Sequence, residues 1–176
     1  MVVKPRDCWG TPFWLIRAIE RSAGRTFDLD ACAEPSNAKA RTFLCAQDDP
    51  LRCDWRAAAH AGEQDMPMIW MNPPYSDPAR WCVKAMETAL AGAIVVGLLR
   101  NDPSARWFER FVMRASHVVI PVGRRIQFEP PVGVRRTSNS GTNVLPVWTP
   151  IPPYSVGPAV RWLDVRGAIA AMQESA

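Results

Sequence analysis

The sequence predicts an α/β fold: a largely parallel sheet with an antiparallel end, flanked by helices. Three observations carry this expectation. Short apolar runs alternate with helical segments along most of the chain, the order that a parallel sheet with crossover helices requires. The run "AIVVGLL" at 93–99 is apolar on both faces, as a strand covered from both sides must be. Two later apolar runs, "RRIQF" at 124–128 and "NVLPVW" at 143–148, are joined by a loop rather than a helix, which predicts antiparallel pairing at that end. At 176 residues the chain reads as one domain, 1–176, long enough to bury a core.

The elements follow in order. "WGTPFWLIRAIERSAGRTF" reads as a helix with its punctuation: Thr11 as N-cap, Pro12 at the first helical position, Phe13, Ile16 and Ile19 at helical spacing, and Gly24 as the stop. "TFDLDACA" predicts a short strand ending on acidic and small residues, and "EPSNAKARTF" a turn followed by a helical turn or two. "DDPLRCDW" is expected to form another short strand, with Asp54 and Trp55 near its end. "MPMIWM" predicts a buried strand that must stop at Pro73 and Pro74, which cannot extend a backbone ladder. Asp77 and Pro78 then open a helix with Trp81, Met86 and Leu90 on its apolar side. "DPSARWFERFVMRA" predicts a further helix and "HVVIPV" a strand, while Trp162, Val165, Ile169 and Met172 give the tail a helical period.

Composition narrows the class. The formal charge of +4 leans towards a polyanionic partner. No apolar run approaches the roughly 20 residues of a membrane span, and the amino terminus lacks the apolar stretch of a signal peptide. The five cysteines form no CxxC pair and the two histidines, His60 and His117, lie far apart. These features predict a reduced, cytoplasmic protein without a metal site. Eight tryptophans are mostly read as packing, with one or two left as stacking surfaces for a base or cofactor.

Asn72-Pro73-Pro74-Tyr75 is the stretch that carries chemistry. An Asn side-chain oxygen and the Pro73 carbonyl, held together by a rigid turn, make a pair of acceptors. Such a pair can bind both hydrogens of a planar amino group and draw the nitrogen lone pair out of conjugation. The nitrogen then becomes a better nucleophile towards a methyl group on sulfur, and Tyr75 can stack on the ring that carries it. A base inside a duplex hides its amino nitrogen, so this geometry calls for a base swung out of the stack. Proline-aromatic turns are also common surface features. Here the turn lies between a buried strand and a capped helix, at the kind of strand end where α/β sheets collect ligands, and Asp30 ends another such strand.

The wider pattern is more specific. "WGTP", "FDLDACAEPSNAKARTF", "CDW", "WMNPPYSDPARWCVKA", "VVGLLRND", "RWF" and "GRRIQF", in this order from about Asp7 to Trp148, together resemble the small phage-type DNA adenine methyltransferases. That resemblance implies a Rossmann-like methyltransferase fold, S-adenosylmethionine as donor, the 6-amino group of adenine in DNA as acceptor, and a phage or prophage protein acting in a bacterial host. Position by position, it implies that Asn72, Pro73, Pro74 and Tyr75 are catalytic. It gives Thr11 and Pro12 to the donor's methionine carboxylate, and Asp30, Ala31 and Cys32 to its methionine moiety, with Asn37 a polar position of the same pattern. Asp54 resembles the residue that accepts from the donor's adenine, with Trp55 beside it. The chain departs from larger methyltransferases in that "DLDACAEPSN" has no glycine-rich turn, and "LLRND" departs in spacing, so Arg100 and Asp102 receive no role.

Two other functions remain open on the sequence. The same turn serves methyltransferases that modify guanine in RNA or glutamine in proteins, and a basic DNA-binding module without catalysis is the alternative outside enzymes. Long, irregular loops tend to be functional or disordered, and "EPPVGVRRTSNSGT" at 129–142 is such a loop. Its Arg135 and Arg136, with Arg124 just before it, are the expected DNA contacts.

Overall fold

The computed structural model describes residues 9–61, 65–131, 133–135, 141–151 and 157–174. Its centre is a mixed sheet whose strands are β1 (Leu29–Asp30), β2 (Thr42–Phe43), β3 (Met68–Met71), β4 (Ile94–Gly97), β5 (Leu99–Arg100), β6 (His117–Val122), β7 (Asn143–Trp148) and β8 (Ala159–Asp164). The order across the sheet is β2-β1-β3-β4-β7-β6-β8, with β5 paired to β7. The first four strands run parallel, β7 is antiparallel to β4, β5 and β6, and β8 returns parallel to β6. The fold is the expected Rossmann-like arrangement with a parallel half and an antiparallel end.

Period-two alternation builds two cores from one strand. Along β3, Met68 and Trp70 join a cluster with Leu15 and Ile16 of α1 (Phe13–Ala23). Ile69 and Met71 face the opposite cluster, with Trp81 and Ala85 of α3 (Pro78–Leu90) and Phe108 of α4 (Arg106–Phe111). All four β3 residues are therefore buried, as a central parallel strand demands. The short α2 (Trp55–Ala58) adds Trp55 to this second core, and α5 (Val165–Gln173) closes the chain near α1. Among the described residues no helix is long and apolar enough to cross a membrane.

Several local expectations need correction. The helix begins at Phe13 with Pro12 at the cap position, and no side-chain cap hydrogen bond forms, so Thr11 does not cap it. The expected helical turn after Asn37 is absent; the chain makes a turn and then the two-residue β2. "DDPLRCDW" forms no strand, because Asp54 instead caps α2 by accepting from the Arg56 and Ala57 N–H groups. "RRIQF" is irregular although its Ile126 is buried, and Glu129 just beyond it pairs with Gly10. Trp162 lies in β8 rather than in the final helix, and Leu90 is exposed. For Asp54, β2 and Trp162 a cap or a pairing partner, which no local period encodes, decided the outcome.

Candidate functional site

Strand order reverses at β1: β2 lies on one side of it and β3 on the other. The carboxyl ends of β1 and β3 therefore open onto a crevice, as at the switch points of open α/β sheets. A cavity of about 270 Å³ occupies it. Of the residues the sequence singled out, Thr11, Asp30, Cys32, Asn37, Asn72 and Pro74 line this cavity. Residues from three separate parts of the chain are thus brought together.

Asp30 is only 2 % exposed, and its carboxylate accepts from the backbone N–H of Cys32 at 3.2 Å and of Lys39 at 3.0 Å. It is no solvated loop aspartate; it ties residues 30–39 into one wall. Burial raises its pKa from 3.8 to about 6, against the opposing pull of those two hydrogen bonds and the Lys39 charge. Burial and the neighbouring Asp30 also push the Cys32 thiol up, so it stays neutral. Asn37 closes the turn by accepting from the Glu34 N–H at 2.9 Å. Ala31 contributes through its backbone, donating to the Trp70 carbonyl at 2.9 Å.

Thr11 Oγ1 and Trp70 Nε1 are buried without a hydrogen-bond partner, and both residues line the cavity. Two buried polar atoms left unpaired on one wall are costly unless a ligand completes them. The Asp30 carboxylate on the same wall fits a ligand that carries an ammonium, as S-adenosylmethionine does.

Asn72 follows β3 directly. Its Nδ2 donates one N–H to the Trp9 carbonyl at 3.3 Å, which fixes the amide's orientation and leaves Oδ1 as the available acceptor. The Asp77 N–H closes the following turn on the Pro74 carbonyl at 3.4 Å, so the Pro73 carbonyl is not consumed by it. Tyr75 is half-buried beside Phe128, ring centroids 6.2 Å apart and nearly perpendicular. The Tyr75 hydroxyl accepts from Asn143 Nδ2 at 3.0 Å, and burial raises its pKa, so the phenol stays neutral.

Other assignments are not brought to the cavity. Asp54 is spent on the α2 cap and does not line it, and neither do Pro12, Ala31, Pro73 and Tyr75. Trp55 is fully buried, its indole donating to the Pro50 carbonyl at 2.7 Å, and it packs behind Trp81, which does line the cavity. The acid found on the wall in this part of the chain is Asp49, held at φ 48°. Sequence reasoning missed Asp49, Lys39, Trp70 and Trp81. Only Asp49, an acidic residue before a proline, carried a local signal. Arg124 is exposed and borders a shallow depression shared with Asn143, the residue that holds Tyr75. Arg135 is exposed, and Arg136 lies outside the described residues.

Comparison with known proteins identifies the family. A DNA N-6-adenine-methyltransferase of Haemophilus phage HP1 is 32% identical over 151 residues, covering 85% of this chain and 82% of that protein. A second DNA N-6-adenine-methyltransferase, from Escherichia phage T1, is 31% identical over 114 residues, 65% of this chain and 44% of that protein. The family model described as DNA N-6-adenine-methyltransferase (Dam) matches residues 1–161, a stretch that holds both the strand-end cavity and the Asn72 turn. With an amide acceptor, an aromatic ring and a half-polar cavity at one switch point, and that match over nearly its whole length, the chain belongs to the DNA N-6-adenine-methyltransferase (Dam) family.

Proposed function

We propose that the protein methylates the 6-amino group of adenine in DNA, using S-adenosylmethionine, with the target base turned out of the duplex. The observation that carries this reading is Asn72: on the cavity wall, its amide is oriented by the Trp9 carbonyl so that the acceptor oxygen is free. S-adenosylmethionine, when bound, supplies an electrophilic methyl group on its sulfonium. The protein's part is orientation. Asn72 Oδ1 and the Pro73 carbonyl accept the two amino hydrogens, which frees the nitrogen lone pair. Tyr75 offers its ring to the extruded base, and its hydroxyl is anchored by Asn143. No strong general base is needed, because the amine becomes acidic once methylated and can release its proton to water. Preorganised acceptors of this kind account for much of the rate in comparable sites.

The test is direct. The purified protein is incubated with methyl-labelled donor and DNA, RNA or protein, and the modified nucleosides or residues are identified by mass spectrometry. N6-methyladenine in DNA is the expected product. Label in RNA guanine or in protein glutamine would reassign the acceptor, and DNA binding without label would leave a binding module.

A further inference from the structure

We propose that Lys39 is the counter-ion for the carboxylate at the methionine end of the donor, kept in place by Glu129 until the donor takes it. The proposal rests on the donor reading above. Lys39 lines the cavity, yet its side chain is only 2 % exposed, while its ion-pair partner Glu129 is 37 % exposed. The Nζ–Oε2 distance is 3.1 Å, and the ammonium sits 3.9 Å above the Phe13 ring centroid. A buried ammonium strongly needs compensation, and this one has a direct ion pair with one partly solvated carboxylate and a longer-range interaction with Asp30. It carries three N–H donors, of which the Glu129 contact uses one.

The same wall holds two further donors with nothing to bind, the Thr11 hydroxyl and the Trp70 indole N–H. The Lys39 ammonium can only donate, so the group it calls for in this cavity is an acceptor, and a carboxylate makes the strongest such bond. Asp30 on the same cavity supplies the opposite need, an acceptor for an ammonium. Paired needs of this kind match the α-amino-acid end of a molecule.

Glu129 is fixed where it can hold Lys39 and still yield it. Its backbone exchanges two 2.8 Å hydrogen bonds with Gly10. That pairing sets the Glu129 carboxylate against residue 10, where a Cβ would lie in ordinary contact with Glu129 Oε2 at 3.4 Å. Replacing Glu129 with an uncharged residue should strengthen, not weaken, the grip of Lys39 on a ligand carboxylate.

Calorimetric titration with three ligands tests this: S-adenosylhomocysteine, its decarboxylated analogue, and 5′-methylthioadenosine, which lacks the amino-acid end. The unaltered protein should prefer S-adenosylhomocysteine to the decarboxylated analogue by about tenfold or more, as a charge-assisted hydrogen bond provides. Lys39→Met should lose that preference while keeping its affinity for 5′-methylthioadenosine within about twofold, and Lys39→Arg should restore part of it. Glu129→Gln should raise the preference severalfold, and it remains informative should Lys39→Met fold poorly. An unchanged preference in Lys39→Met or in Glu129→Gln overturns the proposal, as does an equal loss for all three ligands. If the unaltered protein binds none of the three, the donor reading itself is overturned.

Discussion

The Trp9 carbonyl orients the Asn72 amide and leaves its Oδ1 free, so truncation removes an acceptor without opening the core. Asn72→Ala should lose on the order of a hundredfold or more in single-turnover rate, as deleting a preorganised polar group does elsewhere. Its melting temperature should barely move, and near-normal turnover would take Asn72 out of the mechanism. Tyr75 separates ring from hydroxyl. Tyr75→Ala should weaken the hold on the extruded base by about 1–3 kcal/mol, the contribution of one stacked base, read by fluorescence of a base analogue at the target position. Tyr75→Phe keeps the ring and removes one acceptor of Asn143, whose Nδ2 still donates to the Leu99 carbonyl at 3.3 Å, so its main effect should be a loss of stability of about 1 kcal/mol in urea melts. Asp30 adds a pH dependence. Its folded pKa is raised from 3.8 to about 6, so between those values the folded protein holds a proton that the unfolded chain has lost. Stability from this group is complete below about pH 4 and declines as pH rises through about 6. Affinity for S-adenosylhomocysteine, whose ammonium favours the ionised carboxylate, should move the other way and rise through the same window. Asp30→Asn should flatten both curves; a stability profile unchanged by that substitution would free Asp30 from this role.

At the scale of the element, Asp54 divides the resemblance from the structure. As the cap of α2 it accepts from two backbone N–H groups, at 2.9 and 3.2 Å. Asp54→Ala should cost about 1 kcal/mol of stability, the usual loss for a cap. Affinity for S-adenosylhomocysteine should stay as it was, whereas a tenfold drop in affinity with no loss of stability would restore Asp54 to the donor. The elements the sequence made legible are those whose signal is internal. The apolar run of β3, the doubly covered β4 and the Asp77-Pro78 opening of α3 needed no partner to be read. β1 and β2 are two residues each and exist only because β3 templates β1 and β1 in turn templates β2. The same holds for Trp162, whose helical spacing to Val165 gave way to six paired positions along β6. Gly97 shows a tertiary demand hidden in an apolar run: a Cβ there would come within 3.0 Å of Met71 Cε and Trp148 Cζ3.

Over the whole molecule, the site was half legible for the same reason. The sequence gives away residues whose chemistry is local, such as the Asn72 turn and the acidic end of β1. It conceals those that meet only in the fold: Lys39 and Glu129 pair across 90 residues, and Asn143 reaches Tyr75 across 68. DNA contact belongs to this scale too, because a +4 chain must present its charge near the target turn to use it. Arg124 lies beside the depression that Asn143 borders, and Arg135 is exposed on the segment that leaves Glu129. Both therefore stem from the stretch between β6 and β7, whose Glu129 is pinned to two residues of the strand-end cavity, Gly10 and Lys39. If these arginines neutralise phosphates, each releases counterions on binding, and the slope of log affinity against log salt falls by about one unit per contact removed. Arg124→Ala and the double variant Arg135→Ala with Arg136→Ala should each weaken DNA binding and flatten that slope, leaving calorimetric affinity for S-adenosylhomocysteine unchanged. A double variant that keeps the slope but methylates different sites on sequenced plasmid DNA would show base reading instead. One that changes neither slope nor pattern would leave the stretch as a connection between two strands.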